Sequence, residues 1–239
     1  MMLDVSHLDL SDIRSVVLFG SQARGEADSH SDTDLCLFVN DMRFDRMVEL
    51  KRVAAAQVSV CAESVGIYTA AVLDRMCKSG SLLLWHLRLE GVILYDAQDF
   101  AASVFQALAV FEEYESALAT YETLWRDVRL ALTKRRWLCE FDYHILHGVV
   151  RDCCILLCYV AGRPTFGRTS AFKMAVCLYS PFPLDETTFE RLTSWHLTYL
   201  RNAANEVEVP DAAFAESAVS MVERVIGVCR ERLLSKNRA

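Results

Sequence analysis

Proline and glycine are scarce in this chain, 4 and 9 among 239 residues, and basic side chains are outnumbered, 25 Lys and Arg against 32 Asp and Glu. The acidic balance, a net charge of −7, argues against a protein that grips long nucleic acid without regard to sequence, because such binding is driven by clustered Lys and Arg. A local basic patch stays open. The 9 cysteines make no disulfide framework: the count is odd and no Cys-x-x-Cys spacing occurs. Met1-Met2-Leu3-Asp4 lacks a charged segment followed by an apolar one, so a reducing, cytoplasmic setting is expected. Apolar runs such as Cys153 to Ala161 stop well short of the roughly 20 residues that span a bilayer, and no membrane segment is expected. What remains is 53% hydrophobic and 24% charged content, enough to bury a core in one large or two small domains.

The first part of the chain alternates between short apolar runs and helical spacing. Ser15 to Phe19, Thr33 to Val39, Val65 to Thr69 and Val92 to Tyr95 read as strands, with helices over Met42 to Val60 and Ala70 to Leu89. Beyond Asp96 strand-like runs vanish. Amphipathic stretches follow over roughly Phe100 to Thr133, Glu140 to Val160, Ser170 to Leu178, Thr187 to Arg201 and Asp211 to Leu234, which together read as a helical bundle. Gly162, Pro164, Gly167, Pro181, Pro183 and Pro210 fall in the breaks, as expected of residues that stop helices. The fold class is therefore α+β: a small mixed sheet domain over 1–97, then an all-α bundle over 98–239. No internal repeat or low-complexity tract marks the boundary.

The segment between the first two strands carries chemistry. Gly20-Ser21-Gln22-Ala23-Arg24-Gly25 ends a strand and opens a helix, where unpaired backbone N–H groups and the positive dipole end favour phosphate. Glycine lets a phosphate approach the backbone, and Ser21 adds a hydroxyl donor. In Ser31-Asp32-Thr33-Asp34-Leu35 the two carboxylates stand two apart at a strand start, so both can face one side and share a hard cation through oxygen. Magnesium fits such ligands, and with a triphosphate it suits nucleotidyl transfer. Each fragment alone is more simply a turn or a solvated strand edge. Together, the Gly, Ser, Arg, Gly, Ser, Asp and Asp at fixed offsets match by chance about once in a million chains of this length.

These residues resemble the Gly-Ser-x-Ala-Arg-Gly … Ser-Asp-x-Asp-Leu signature of the polymerase-beta-like nucleotidyltransferases in their minimal form. The resemblance covers about residues 10–96. It implies a mixed sheet with helices on one side and ATP or another nucleoside triphosphate as donor. It makes Asp32 and Asp34 the metal ligands and puts Gly20 and Ser21 on the triphosphate. Arg24 either faces phosphate with them or forms a surface ion pair. The family usually adds a third carboxylate on the next core strand, where Ser64 aligns with the position and Glu63 lies one residue off. Glu63 is the candidate third catalytic carboxylate; Glu140 and Asp142 are candidates to replace it from the second domain.

A nucleotidyltransferase domain followed by helices also resembles fusions to HEPN-type domains and the kanamycin nucleotidyltransferase layout. HEPN ribonucleases carry Arg, a polar residue and a later His. Arg201-Asn202 matches the start, but positions 206 to 208 are Glu206, Val207 and Glu208. Arg191 to His196 matches in spacing with the apolar Leu192 in second place, and His196 reads as a helix-face residue. RNA cleavage without a proton-transferring His loses its main catalytic group. His144, His147 and Arg151 share one helix face and fit either a ligand or a plain polar face. Cys154 and Cys158 read as small buried hydrophobes. The run Arg126, Arg129, Lys134, Arg135 and Arg136 fits a solvated helix end or a dock for a nucleotide or RNA end. Trp85, Trp125, Trp137 and Trp195 fit core or interface.

The leading expectation is an enzyme that transfers a nucleoside monophosphate, AMP from ATP, to a hydroxyl acceptor with magnesium. The acidic charge favours a small molecule or a protein as acceptor over long RNA. A homodimer is left open. The rival is a nucleotide-binding regulatory or antitoxin-like module with weakened catalysis; a HEPN-type ribonuclease ranks third.

Overall fold

A computed structural model describes residues 3–27, 31–200 and 212–236. The chain divides into two compact units, Met1–Glu112 and Glu113–Ala239. In the first, the elements run β1 (Ile13–Phe19), α1 (Gly20–Arg24), β2 (Asp34–Val39), α2 (Phe44–Gln57), β3 (Val65–Thr69), α3 (Ala70–Lys78), α4 (Leu82–Glu90), β4 (Val92–Asp96) and α5 (Phe100–Gln106). The sheet order is β3-β2-β1-β4. β1 pairs antiparallel with β2 and β4, while β2 and β3 run parallel, so the sheet is mixed.

β2 explains why helices cover both faces of this sheet. Leu35 to Val39 are apolar at every position and all buried, the pattern of a strand with no wet side. Leu35, Leu37 and Val39 pack with Leu50, Ala54 and Ala55 of α2. Cys36 and Phe38 pack on the other face with Leu73 of α3, Leu84 and Leu87 of α4, and Ala101, Val104 and Phe105 of α5. The resemblance implied helices on one side; α2 against α3, α4 and α5 makes two.

The first unit also reaches past residue 97, to Glu112. Ala101, Val104, Phe105 and Leu108 belong to the core that holds Val17, Cys36 and Phe38. The loss of strand periodicity at 97 marks the last strand, and the compact unit continues from there through α5. The stretch read as one helix from Phe100 is correspondingly two, α5 and α6 (Tyr114–Arg135).

The second unit holds α6, α7 (Glu140–Val160), α8 (Arg168–Leu178), α9 (Glu186–Leu200) and α10 (Ala212–Lys236). α7 is the central helix, in contact with α6, α8, α9 and α10. It is long and apolar enough to cross a membrane by length and composition alone, and the burial of most of its apolar window accounts for that composition. Cys153, Cys154 and Cys158 are buried in it as small hydrophobes. Trp125 Nε1 donates to the Val219 carbonyl at 2.9 Å and ties α6 to α10. Asp142, one candidate base, completes the capping box of α7, whose N-cap is Cys139: it is buried and accepts from the Cys139 N–H at 2.7 Å and from Arg135 Nη2 at 2.5 Å.

Candidate active site

The strand β1 ends on an extended Phe19, and Gly20 then turns the chain into α1 with φ 73°. A side chain there would be strained by conformation and would find no room. A Cβ on Gly20 would overlap Asp34 Oδ2 and lie 3.2 Å from its Cγ and 3.4 Å from its Cβ. The pairing Phe19↔Asp34 at the end of the β1–β2 ladder creates this approach. Both halves of the motif thus meet at one sheet corner. Gly25 closes α1 in the left-handed region at φ 70°, and the Glu26 N–H donates back to the Ser21 carbonyl at 2.9 Å. Two of the motif's positions are therefore glycine for a backbone reason.

Asp34 is the first residue of β2 and half-buried, and Asp32 is exposed just before the strand. Among the described residues no group of three or more His, Cys, Asp and Glu side chains could hold a metal ion. Magnesium does not require one: it binds through one or two carboxylates and completes its octahedron with water and substrate phosphate. Two hard oxygen donors beside a glycine turn fit that mode.

Glu63 lies just before β3. It sits in a 3₁₀ turn at Ala62–Ser64, exposed, and accepts from the Cys61 thiol at 2.6 Å. That hydrogen bond is the main cause of its lowered carboxyl pKa. The β2–β3 register runs without a shift from Leu35↔Val65 to Val39↔Thr69. The ladder begins at Leu35↔Val65, so Glu63 and Ser64 both precede the strand in the 3₁₀ turn, where strand alternation does not set their direction.

Arg24 is engaged with carboxylates. Its Nε donates to Glu26 Oε2 at 2.7 Å and its Nη1 to Glu90 Oε2 at 3.0 Å, with 17% of the side chain exposed. Glu90 and its neighbour His86, 3.3 Å from the same oxygen, were not singled out by sequence. Their one signal is an i,i+4 spacing on α4, which many helices show.

The second unit's candidates resolve locally. His144, His147 and His196 form a stack: ring centroids are 4.7 Å apart for His144 and His196, and 4.1 Å for His147 and His196. His147 is fully buried. Burial pushes its pKa down to about 2 and that of His196 to about 3, and lowers that of His144. Arg126, Arg129 and Arg135 of the basic run each lie against a carboxylate, of Glu122, Glu223 and Asp142. Trp125 and Trp195 are buried, while Trp137 is exposed beneath the Arg135 guanidinium. Arg201-Asn202 lies outside the described residues.

Residues 7–99 match the family described as polymerase beta, nucleotidyltransferase. The first unit is a nucleotidyltransferase domain of this family, followed by a helical region. No curated protein matches the chain. Several solved structures are similar to it, three of them as follows. One is spectinomycin adenyltransferase AAD(9) from Enterococcus faecialis with ATP and spectinomycin: 11% identity, 90% of this chain and 93% of that one, TM-score 0.49. Another is a nucleotidyltransferase-like protein from Exiguobacterium sibiricum: 15% identity, 91% and 70% coverage, TM-score 0.36. The third is a mutant of the toxin-antitoxin MntA-HpeT: 19% identity, 51% and 89% coverage, TM-score 0.31.

Proposed function

We propose that this chain transfers AMP from ATP to a hydroxyl acceptor, with Asp32 and Asp34 as magnesium ligands and Gly20 and Ser21 on the triphosphate. The observation that carries this reading is the seat of Asp34 against Gly20, which puts a carboxylate within reach of any phosphate that approaches the glycine backbone. Magnesium, when bound, supplies charge neutralisation of the triphosphate and of the leaving pyrophosphate. The chain's own part is positional. Gly20 lets Asp34 stand directly against its backbone, the Ser21 hydroxyl would donate to a phosphate oxygen, and the Phe19↔Asp34 pairing fixes Asp34 at that corner. Effective catalysis by orientation needs such a fixed geometry. The net charge of −7 favours a cationic small molecule or a protein as acceptor, and the 9 free thiols suit a reducing cytoplasm.

A second reading is favoured by the position of Glu63. With that carboxylate engaged by Cys61 and not serving as the third ligand, the domain would bind MgATP and transfer slowly, as a regulatory module. Incubation with labelled ATP, GTP, CTP and UTP, with aminoglycosides, RNA and protein offered in turn, separates the two. Label on any acceptor supports transfer; calorimetric MgATP binding with no label on any of them supports the regulatory module.

A further inference from the structure

Helix α1 is a single turn, Gly20–Arg24, and a helix of that length does not persist on its own, since nucleation costs more than one turn of hydrogen bonds returns. Something outside it must fix both its ends. Its C-terminal end is held through Arg24, whose fork binds Glu26 and Glu90 at 2.7 and 3.0 Å. Glu90 closes α4, and its Oε2 also lies 3.3 Å from His86 Nε2 one turn earlier. The His86 ring stands edge-on to Phe19, with centroids 5.6 Å apart and planes at 88°. Phe19 is the residue before Gly20. The contacts therefore run from one end of α1, through Glu90 and His86 of α4, back to the other.

We propose that Arg24 is a positioning residue and not a phosphate ligand: by binding Glu90 it pins α1 to α4 and keeps Gly20 in its left-handed turn against Asp34. Its charge is already compensated by two carboxylates, and Glu90 and Arg24 are only 16% and 17% exposed. A fork held this way is directional as well as attractive. Arg24→Lys, which keeps the charge and loses the fork, should therefore not restore the function.

The sign of one substitution separates the two roles. If Arg24 met the triphosphate, Glu90→Ala would free the guanidinium and remove a negative charge near a polyanion, so MgATP would bind more tightly. If Arg24 is a brace, the same substitution loosens the turn and MgATP binds more weakly. The nucleotide arm rests on the function proposed above, and a second arm does not: hydrogen exchange in the nucleotide-free protein at the Gly25 and Glu26 amides, bonded at 3.2 and 2.9 Å to Gln22 and Ser21 carbonyls. Glu90→Ala, Glu90→Gln and Arg24→Met are expected to speed exchange there by about tenfold, with Glu90→Gln as the variant that best preserves packing. Each should weaken MgATP binding by about three- to tenfold. The double variant Arg24→Met/Glu90→Gln should be no worse than the more damaging single, as coupled partners behave. Unchanged exchange in the folded variants, additive losses, or tighter MgATP binding in Glu90→Ala would overturn the brace. A wild-type protein that binds no MgATP would count against the proposed function, and the exchange arm would still decide this one.

Discussion

Asp34 occupies the space that a side chain on Gly20 would need: a Cβ there would stand 3.2 Å from the carboxylate carbon and overlap one oxygen. The glycine is required by its neighbour across the β1–β2 ladder as well as by its own φ of 73°.

Gly20→Ala should therefore displace the carboxylate and strain the turn together. A non-glycine residue at left-handed φ costs about 1–2 kcal/mol, and the displaced Asp34 adds a functional loss on top. Calorimetry should show MgATP affinity reduced by about tenfold or more, with the melting temperature lowered. A Gly20→Ala protein that binds MgATP normally would show that phosphate does not depend on this corner.

Glu63→Gln is expected to leave both MgATP affinity and the transfer rate within about twofold, because its carboxylate is exposed and already engaged by the Cys61 thiol. Ser64→Asp should raise the rate, by placing a carboxylate where the family signature aligns its third one, immediately before β3. Steady-state rates with one identified acceptor test both. A sharp loss in Glu63→Gln with affinity retained would restore it as the third carboxylate.

The histidine stack makes the helical unit sensitive to acid. The folded pKa of His147, about 2, and of His196, about 3, lie below the unfolded value of about 6.5. Above pH 6.5 neither state binds a proton there and the stack contributes no pH dependence. Below it the unfolded chain takes up protons that the buried rings refuse, so stability falls as pH falls, by about 1.4 kcal/mol per pH unit for His147. His196 adds less, being partly exposed. Arg151 and Arg168 oppose protonation further. Urea unfolding of the second unit between pH 7.5 and 5 should show this slope, and His147→Leu should flatten it. An equal slope in His147→Leu would place the titrating groups elsewhere.

Much of this architecture is legible in the sequence because period and burial agree. Val65 to Thr69 and Glu140 to Val160 read as one strand and one helix and are observed with those bounds. The Gly-Ser and Asp-x-Asp fragments lie apart in the chain, yet their joint pattern identified the corner where they meet. What spacing does not carry has a common physical cause. Whether the apolar stripe of α5 packs on a sheet or on other helices does not alter its spacing, so spacing alone does not show that the compact unit runs on to Glu112. The 3₁₀ turn that carries Glu63 and Ser64 into β3 is not part of the strand reading, so the direction of those side chains is not open to a period-two argument. The partner of Arg24 is Glu90, 66 residues on, and one-dimensional spacing holds no trace of that pair.

The central claim is that Asp32 and Asp34 hold the metal for nucleotidyl transfer, and Asp34→Asn tests it most directly. In the assay with labelled ATP, magnesium and the acceptor that the wild-type protein modifies, Asp34→Asn should fold, keep a normal melting temperature to within a few degrees, and lose transfer by about a thousandfold or more, since losing a metal ligand removes several kcal/mol of transition-state stabilisation. Near-wild-type transfer by a folded Asp34→Asn protein would contradict the assignment of this corner as the active site.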